Sequence, residues 1–226
     1  MDGHGKGPDA APLARQWWGR VGYEAAWRRQ LELVARVRAD PAAETVVGVE
    51  HPPTATLGRH ACDRDVLVDA AERRRIGMEV VRSDRGGQAT YHGPGQAVVY
   101  PIVHVRARRL APRAWVCLLE DTLLATLAAF DVTGTRRAGA PGIWADGAKV
   151  ASIGLRIARG VSYHGVSINV TVDAGAFAAI VTCGVAGERV SSISALTGRR
   201  PPLEQVHEVF ADAVDRRLRD YPRRHP

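Results

Sequence analysis

In "GYEAAWRRQLELVARVRAD" the apolar side chains Trp27, Leu31, Val34 and Val37 recur three and four residues apart, which predicts an amphipathic helix. The β-branched run "TVVGVE" then has the length and composition of a strand. Two prolines in "HPPTATLGRH" break the pattern, which restarts as a short helix in "RDVLVDAAERRRIG" and a strand in "MEVVRS". A glycine-rich segment, "RGGQATYHGPGQ", leads into the strand "AVVYPIVHV" and a helix from about Pro112 to Phe130. "GIWADGAKVASIGLRIARGVSYHGVSINVTV" holds Asp146-Gly147 between apolar runs, the two-residue signature of a tight hairpin, with a second turn near Arg159-Gly160. It reads as an antiparallel meander. "PPLEQVHEVFADAVDRRLRDY" closes the chain as a helix opened by prolines, with Leu203, Val206, Phe210, Ala213 and Val214 on one face. With no linker or repeat, the pattern predicts one α+β domain over residues 16–226, a mixed β-sheet with flanking helices, after a tail at 1–15 expected to be disordered.

Composition narrows the classes of function. A chain of 226 residues that is 46% hydrophobic can bury a sizeable core. No apolar run reaches the roughly 18 residues of a membrane span, and "MDGHGKGPDAAP" lacks the apolar centre of a signal peptide, so a cytoplasmic protein without membrane contact is expected. Cys62, Cys117 and Cys183 have no metal-ligand spacing, which fits reduced thiols and no metal site. The net charge of +7 favours acidic partners, but it is scattered, and the dense stretch "RRLRDYPRRHP" reads as a solvated helix end rather than a nucleic-acid site. Among the 31 basic residues only Lys6 and Lys149 are lysines, and Lys6 lies in the tail. A chain this biased toward arginine that keeps Lys149 points to a need for an amine that can lose its proton, which a guanidinium cannot do.

Four glycines between Arg85 and Gln96 exceed what a hairpin needs, and suggest backbone that something approaches closely; a long glycine-rich connection is the plainer alternative. Strict alternation along its strand puts Lys149 on the face of Ala151, Ile153 and Leu155. An ammonium there is costly to desolvate, so its neutral, proton-accepting form becomes accessible, unless the side chain snorkels to water. Cys183, in "AIVTCGVAG", is followed by a glycine free to present its amide to a bound carbonyl oxygen, and is the best nucleophile of the three cysteines; a structural cysteine fits equally. His92 and His164 both occur as Tyr-His-Gly and read either as a general base beside a cysteine or as buried, hydrogen-bonded groups. Asn169 serves to orient a backbone or ligand, or to satisfy a buried turn.

Taken in order, "EHPPTATLGR", "RGGQATYHGPGQ", "GAKVASIG", "YHGVSIN" and "TCGV" resemble the lipoyl(octanoyl) transferases across about Val46 to Ser194. The resemblance implies the fold shared by lipoate ligases and the catalytic domain of biotin ligases. It also implies transfer of an octanoyl group from octanoyl-acyl carrier protein to one lysine of a lipoyl domain, through a cysteine thioester and without a cofactor. The acceptors would be the lipoyl domains of 2-oxoacid dehydrogenase E2 subunits and the glycine cleavage H protein. By position the thioester cysteine falls on Cys183 and the lysine that tunes it on Lys149. The acyl-binding segments fall on Arg85, Gly86, Gly87, Gln88, Ala89, Thr90, Tyr91 and His92, on Ser152, Ile153 and Gly154, and on Gly165, Val166 and Ser167. Thr182 stands where the family commonly has proline, and "VSI" before Asn169 also departs from its pattern, which bears on pocket shape. Two rivals are an ATP-dependent lipoate or biotin ligase, which forms an acyl-adenylate and needs no cysteine nucleophile, and a non-catalytic basic binding protein.

Overall fold

A computed structural model describes residues 12–182 and 187–224; Cys183 lies outside the described residues. The elements run β1 (Ala14–Arg20), α1 (Tyr23–Ala39), β2 (Thr45–Glu50), β3 (Thr54–Leu57), α2 (Ala70–Arg75), β4 (Glu79–Arg82), β5 (Ala89–His92) and β6 (Gln96–Ile102). After them come α3 (Pro112–Ala128), β7 (Thr135–Arg137), β8 (Ala140–Ala145), β9 (Ala148–Ala158), β10 (Val161–Asn169), α4 (Ile193–Thr197) and α5 (Leu203–Arg224). The large sheet has the order β1-β2-β6-β10-β9-β8-β7, and a small one has the order β4-β3-β5. Only β1 with β2 and β3 with β4 pair in parallel, so both sheets are mixed, as the alternation of elements predicts.

Each face of the large sheet is covered because alternate residues along its strands are apolar in opposite directions. Val46 of β2 and Val99 of β6 join Trp115, Leu119 and Leu123 of α3 and Val206, Phe210 and Val214 of α5 on one side. Val47 and Val49 of β2 and Val98, Tyr100 and Ile102 of β6 join Ala26, Leu33 and Val37 of α1 on the other. The meander turns have the conformation that two-residue hairpins favour: Asp146 and Gly147 have φ of 50° and 74°, and Arg159 and Gly160 of 51° and 89°.

Of the small sheet only β4 is expected from the sequence, as the strand in "MEVVRS"; β1, β3, β5 and β7 are not. β1 carries Trp17 and Trp18 half-exposed between polar ends, with no clean period of two, and it is held by pairing with β2 far along the chain. Leu13 is buried and Ala14 opens β1, so the last three residues of the stretch 1–15 expected to be a tail are part of the fold. β5 lies inside the glycine-rich segment, where its four residues are too few for a period to register.

Trp115 is fully buried, and its Nε1 donates to Ser162 Oγ at 2.8 Å, tying α3 to β10. Trp115→Ala is expected to cost about 3–5 kcal/mol in urea denaturation through the cavity it leaves. Trp115→Phe should cost less, since it keeps most of the packing and leaves one hydroxyl unpaired. Equal costs for the two would show that the hydrogen bond, not the packing, dominates.

Candidate active site

The hairpin from β8 to β9 contains one irregularity that decides where Lys149 faces. Ile143 pairs with Ala151, but Trp144 pairs with Lys149, so β9 has one residue more than its partner at this point. This is a β-bulge. Ile143 and Trp144 point to opposite faces, and directly opposed residues share a face, so Lys149 lies opposite to Ala151. The expectation from strict alternation is therefore corrected: Lys149 joins Ser152 and Gly154, not Ala151, Ile153 and Leu155. Its Nζ stands 4.8 Å from the centre of the Trp144 ring, and the residue is 3% exposed.

The same face continues onto the neighbouring strands in rows. Gln96 pairs with Asn169, and Asn169 Nδ2 reaches the Lys149 carbonyl oxygen at 3.5 Å, which makes a polar row at the lysine end. Ser152 pairs with Ser167, and Ser167 with Val98, a row of small side chains. Gly154 pairs with Gly165, a row with no side chains at all beside Tyr100. A trough with a low floor results. β5 crosses above it: Gly86 N donates to the Leu155 carbonyl at the glycine end, while His92 reaches Gln96 at the lysine end.

Between floor and roof lies a cavity of about 420 Å³, a size usual for small-ligand sites. It is lined by Lys149 and by Arg85, Gly86, Gly87, Gln88, Ala89, Thr90, His92, Ser152, Ile153, Gly154, His164, Gly165, Val166 and Ser167. Tyr91 is the exception within the segment expected to bind the acyl chain. Alternation along β5 turns it away from the cavity onto Phe177, with ring centres 5.3 Å apart. Asn169 does not line the cavity but braces it, donating also to the Ser191 carbonyl at 3.0 Å. Tyr23, His60, Val98, Tyr100, Val116 and Pro141 line it without having been singled out. Val98 and Tyr100 follow from alternation once the face of Gln96 is known; the others depend on tertiary packing.

The glycines of the roof have backbone reasons as well as a cavity beside them. Gly87 has φ of 86°, and a Cβ on Gly95 would stand 2.6 Å from the Val172 backbone. Arg85 braces this turn from within, its guanidinium donating to the Thr56 carbonyl at 2.6 Å and to the Gly86 carbonyl at 3.0 Å. The Thr90 hydroxyl, buried on the cavity side of β5, has no hydrogen-bond partner among the described residues.

His92 and His164 line the cavity and His51 stands behind them against His92 and Tyr100, and burial keeps all three from charging. His51 is lowered to about 4, His92 is pushed well below the ordinary histidine range, and His164 is lowered although Asp84 opposes the shift. Their hydrogen bonds fix their protons. His51 Nδ1 donates to the Val21 carbonyl at 2.6 Å and its Nε2 accepts from the Tyr100 hydroxyl at 2.6 Å. His164 Nε2 donates to Asp84 Oδ1 at 2.7 Å, with the Tyr23 hydroxyl 3.4 Å from its Nδ1. Burial alone would raise the Asp84 carboxyl, but hydrogen bonds from His164 and Tyr163 hold it below its ordinary value. His164 reaches this position through a φ of 55°, which swings its ring to the side of Tyr163, 4.8 Å away, instead of the opposite face.

Residues 189–191 run beside Lys149: its amide donates to the Arg189 carbonyl at 2.7 Å, and its carbonyl accepts from the Ser191 amide at 3.0 Å. The segment shortly after Cys183 in the chain is thereby fixed against the lysine strand.

With this geometry in view, the relatives are informative. The profile described as the lipoyl protein ligase A/B catalytic domain matches residues 22–215. An octanoyltransferase of Thiobacillus denitrificans is 43% identical over 211 residues, covering 93% of each chain. A bi-partite lipoate protein ligase from Thermoplasma acidophilum superposes with a TM-score of 0.67 at 12% identity, covering 92% of this chain and 84% of that one. The biotin protein ligase of Aquifex aeolicus superposes with a TM-score of 0.57 at 10% identity, covering 92% and 71%. The latter two show the fold, which is that of lipoate and biotin ligases. The chain belongs to the family of lipoyl protein ligase A/B catalytic domains and, among its members, to the octanoyltransferases. It is an acyltransferase.

The buried histidines set a pH dependence of stability. Their protonation constants in the fold lie below the unfolded value of 6.5, so below that pH the unfolded chain binds more protons and is favoured. Stability is full above about pH 6.5 and falls as pH descends toward 4, with about 3 kcal/mol attributable to His51 alone. Urea denaturation between pH 7.5 and pH 4.5 should show this loss, and His51→Asn, which takes up no proton in this range, should show a shallower slope. An unchanged slope would remove His51 from the account.

Proposed function

We propose that this acyltransferase carries an octanoyl group from octanoyl-acyl carrier protein to the ε-amine of a lysine on lipoyl domains, through a thioester on Cys183. Octanoyl transfer itself is what its relatives perform under that name. The observation that supports the fuller reading best is the placement of Lys149: buried, on the cavity face by virtue of the bulge, and tied to residues 189–191. A lipoyl domain as acceptor is in keeping with the Thermoplasma acidophilum ligase, whose structure was described together with its E2 lipoyl domain. The E2 subunits of 2-oxoacid dehydrogenases and the glycine cleavage H protein are the acceptors proposed.

In the first half-reaction the Cys183 sulfur, as thiolate, attacks the carbonyl carbon of the donor thioester. The carbon–sulfur bond to the carrier breaks, and the departing thiolate takes a proton from the Lys149 ammonium. In the second, the acceptor amine attacks the octanoyl-Cys183 carbonyl, the new carbon–sulfur bond breaks, and the amine proton passes to Lys149. The lysine ends the cycle as it began. A thiolate is needed at the start, and a free cysteine is only a few per cent thiolate at neutral pH, so a cation beside Cys183 raises the reactive fraction. The acyl-Cys183 thioester and then the amide are both made from an activated thioester, so no nucleotide is consumed. The trough of Ser152, Ser167, Gly154 and Gly165 leaves room for an unbranched chain along the floor.

The test is single-turnover acylation from octanoyl-acyl carrier protein without ATP, followed by a chase with a lipoyl domain, the intact mass being read at each stage. Wild type should gain one octanoyl group on Cys183 and lose it in the chase; Cys183→Ser should gain none. Lys149→Arg should still form some acyl-enzyme but pass it on poorly, because arginine stays protonated and accepts no proton, whereas Lys149→Ala should be slow in both stages. Acylation of Cys62 or Cys117 in place of Cys183, or a requirement for ATP, would overturn the mechanism. Normal transfer by Lys149→Arg would remove the proton-carrying role of the lysine.

A further inference from the structure

Of the three buried histidines His51, His92 and His164, His92 alone keeps a ring nitrogen without a partner among the described residues, and the hydrogen bonds say which nitrogen it is. Asn169 Nδ2 donates to the Ser191 carbonyl, so its Oδ1 is the atom that accepts from Gln96 Nε2 at 2.9 Å. Gln96 Nε2 also donates to the Tyr91 carbonyl, which leaves Gln96 Oε1 as an acceptor. His92 Nδ1, 2.7 Å from that oxygen, must therefore carry the proton and donate it. Burial keeps the ring neutral, so its Nε2 is a bare lone pair. The ring is held in place by stacking on Tyr23 at 5.7 Å and by the edge of His51 at 5.7 Å. The chain His92–Gln96–Asn169 ends on the Lys149 carbonyl, so this lone pair belongs to the lysine end of the cavity.

We propose that His92 Nε2 is the acceptor that orients the incoming amine in the second half-reaction, by taking a hydrogen bond from its N–H without taking its proton. This rests on the acyl-Cys183 reading above. The two half-reactions differ in what they offer an acceptor. A departing carrier thiolate has no hydrogen to donate, and the carbonyl oxygen that gains negative charge is repelled by a lone pair. The attacking amine brings N–H bonds that become stronger donors as nitrogen bonds to carbon and gains positive charge. His92 holds one of them and so aims the nitrogen lone pair at the acyl carbon. The carbon–sulfur bond then breaks, Cys183 leaves as thiolate, and the surplus proton goes to Lys149. A histidine so reluctant to charge is a poor base, which suits it to accept without being protonated.

The two stages are measured separately by single-turnover acylation and chase, with His92→Phe and His92→Gln. Phenylalanine keeps a ring for stacking and removes the acceptor; glutamine supplies an oxygen near the Nε2 position that accepts hydrogen bonds but never a proton. His92→Phe is expected to slow transfer about 10 to 100-fold more than it slows acylation, the range for losing a hydrogen bond to a charged donor. His92→Gln is expected to recover most of the transfer rate. Nitrogen-15 NMR of the wild-type protein, which needs no variant to fold, should find His92 protonated at Nδ1 and bare at Nε2. The inference is overturned by normal transfer in His92→Phe, by equal losses in both stages, by a glutamine variant as slow as phenylalanine, or by a proton on Nε2. A wild type that forms no acyl-enzyme would instead remove the reading beneath it, and the inference with it.

Discussion

One extra residue in β9 reverses the side of the sheet to which everything before it points. Without the bulge opposite Trp144, Lys149 would face α3 and α5 across the packed core, where its ammonium would meet only apolar groups at a large desolvation cost. With it, the same lysine lies on Trp144 and in the row of Asn169 and Gln96, next to a cavity. The bulge costs one irregular pair in a ladder that is otherwise continuous, and it is held by residues 189–191, which bond the Lys149 backbone on both its amide and its carbonyl.

A second departure from regular strand geometry, at His164, works toward the same end. A residue in β10 with regular φ would send its ring away from Tyr163; the left-handed conformation sends it beside Tyr163 and onto Asp84. Asp84, Tyr23, Ser83 and His164 then bond one another, so the polar wall of the cavity is satisfied internally and does not collapse inward in search of partners. His51 and Tyr100 do the same at the glycine end. Against that background the bare nitrogen of His92 and the lone hydroxyl of Thr90 are polar atoms of β5 that face the cavity without a partner among the described residues.

The floor and the roof divide the work of the site. Three adjacent strands of the large sheet supply the floor; on β10 its side chains shrink from amide to serine to none as distance from Lys149 grows, β9 pairs serine and glycine with them, and β6 adds Val98 and Tyr100 beside them. The small sheet supplies a roof that hangs on the floor by Gly86 at one end and His92 at the other. Glycine at 154 lets the roof come near, since the Arg85 side chain lies 3.2 Å from where a Cβ would be, whereas glycine at 165 is required within the floor itself, where a Cβ would stand 2.3 Å from the Val99 carbonyl.

Much of this was legible in the sequence because it rests on local rules. The helices at Tyr23–Ala39, Pro112–Ala128 and Leu203–Arg224 are where the sequence puts them, although α1 buries Tyr23, Ala26, Leu33 and Val37 and leaves Leu31, expected on its apolar face, 45% exposed; Asp146-Gly147 and Arg159-Gly160 mark turns that demand positive φ. The motifs "RGGQATYHGPGQ", "GAKVASIG" and "YHGVSIN" also converge in space, with Tyr91 and Asn169 standing just outside the cavity for reasons of alternation and bracing. What the sequence could not express was pairing between distant segments. β1 exists because β2 accepts it, β5 because β3 and the floor hold it, and the face of Lys149 is decided by which residue of β8 lies opposite. A period of two says which residues share a face only until a bulge intervenes, and a bulge is a property of two strands together. The tautomer of His92 is likewise a matter for Gln96, Asn169 and Ser191, residues up to a hundred positions away, whose amides had to be packed before any of them had a direction.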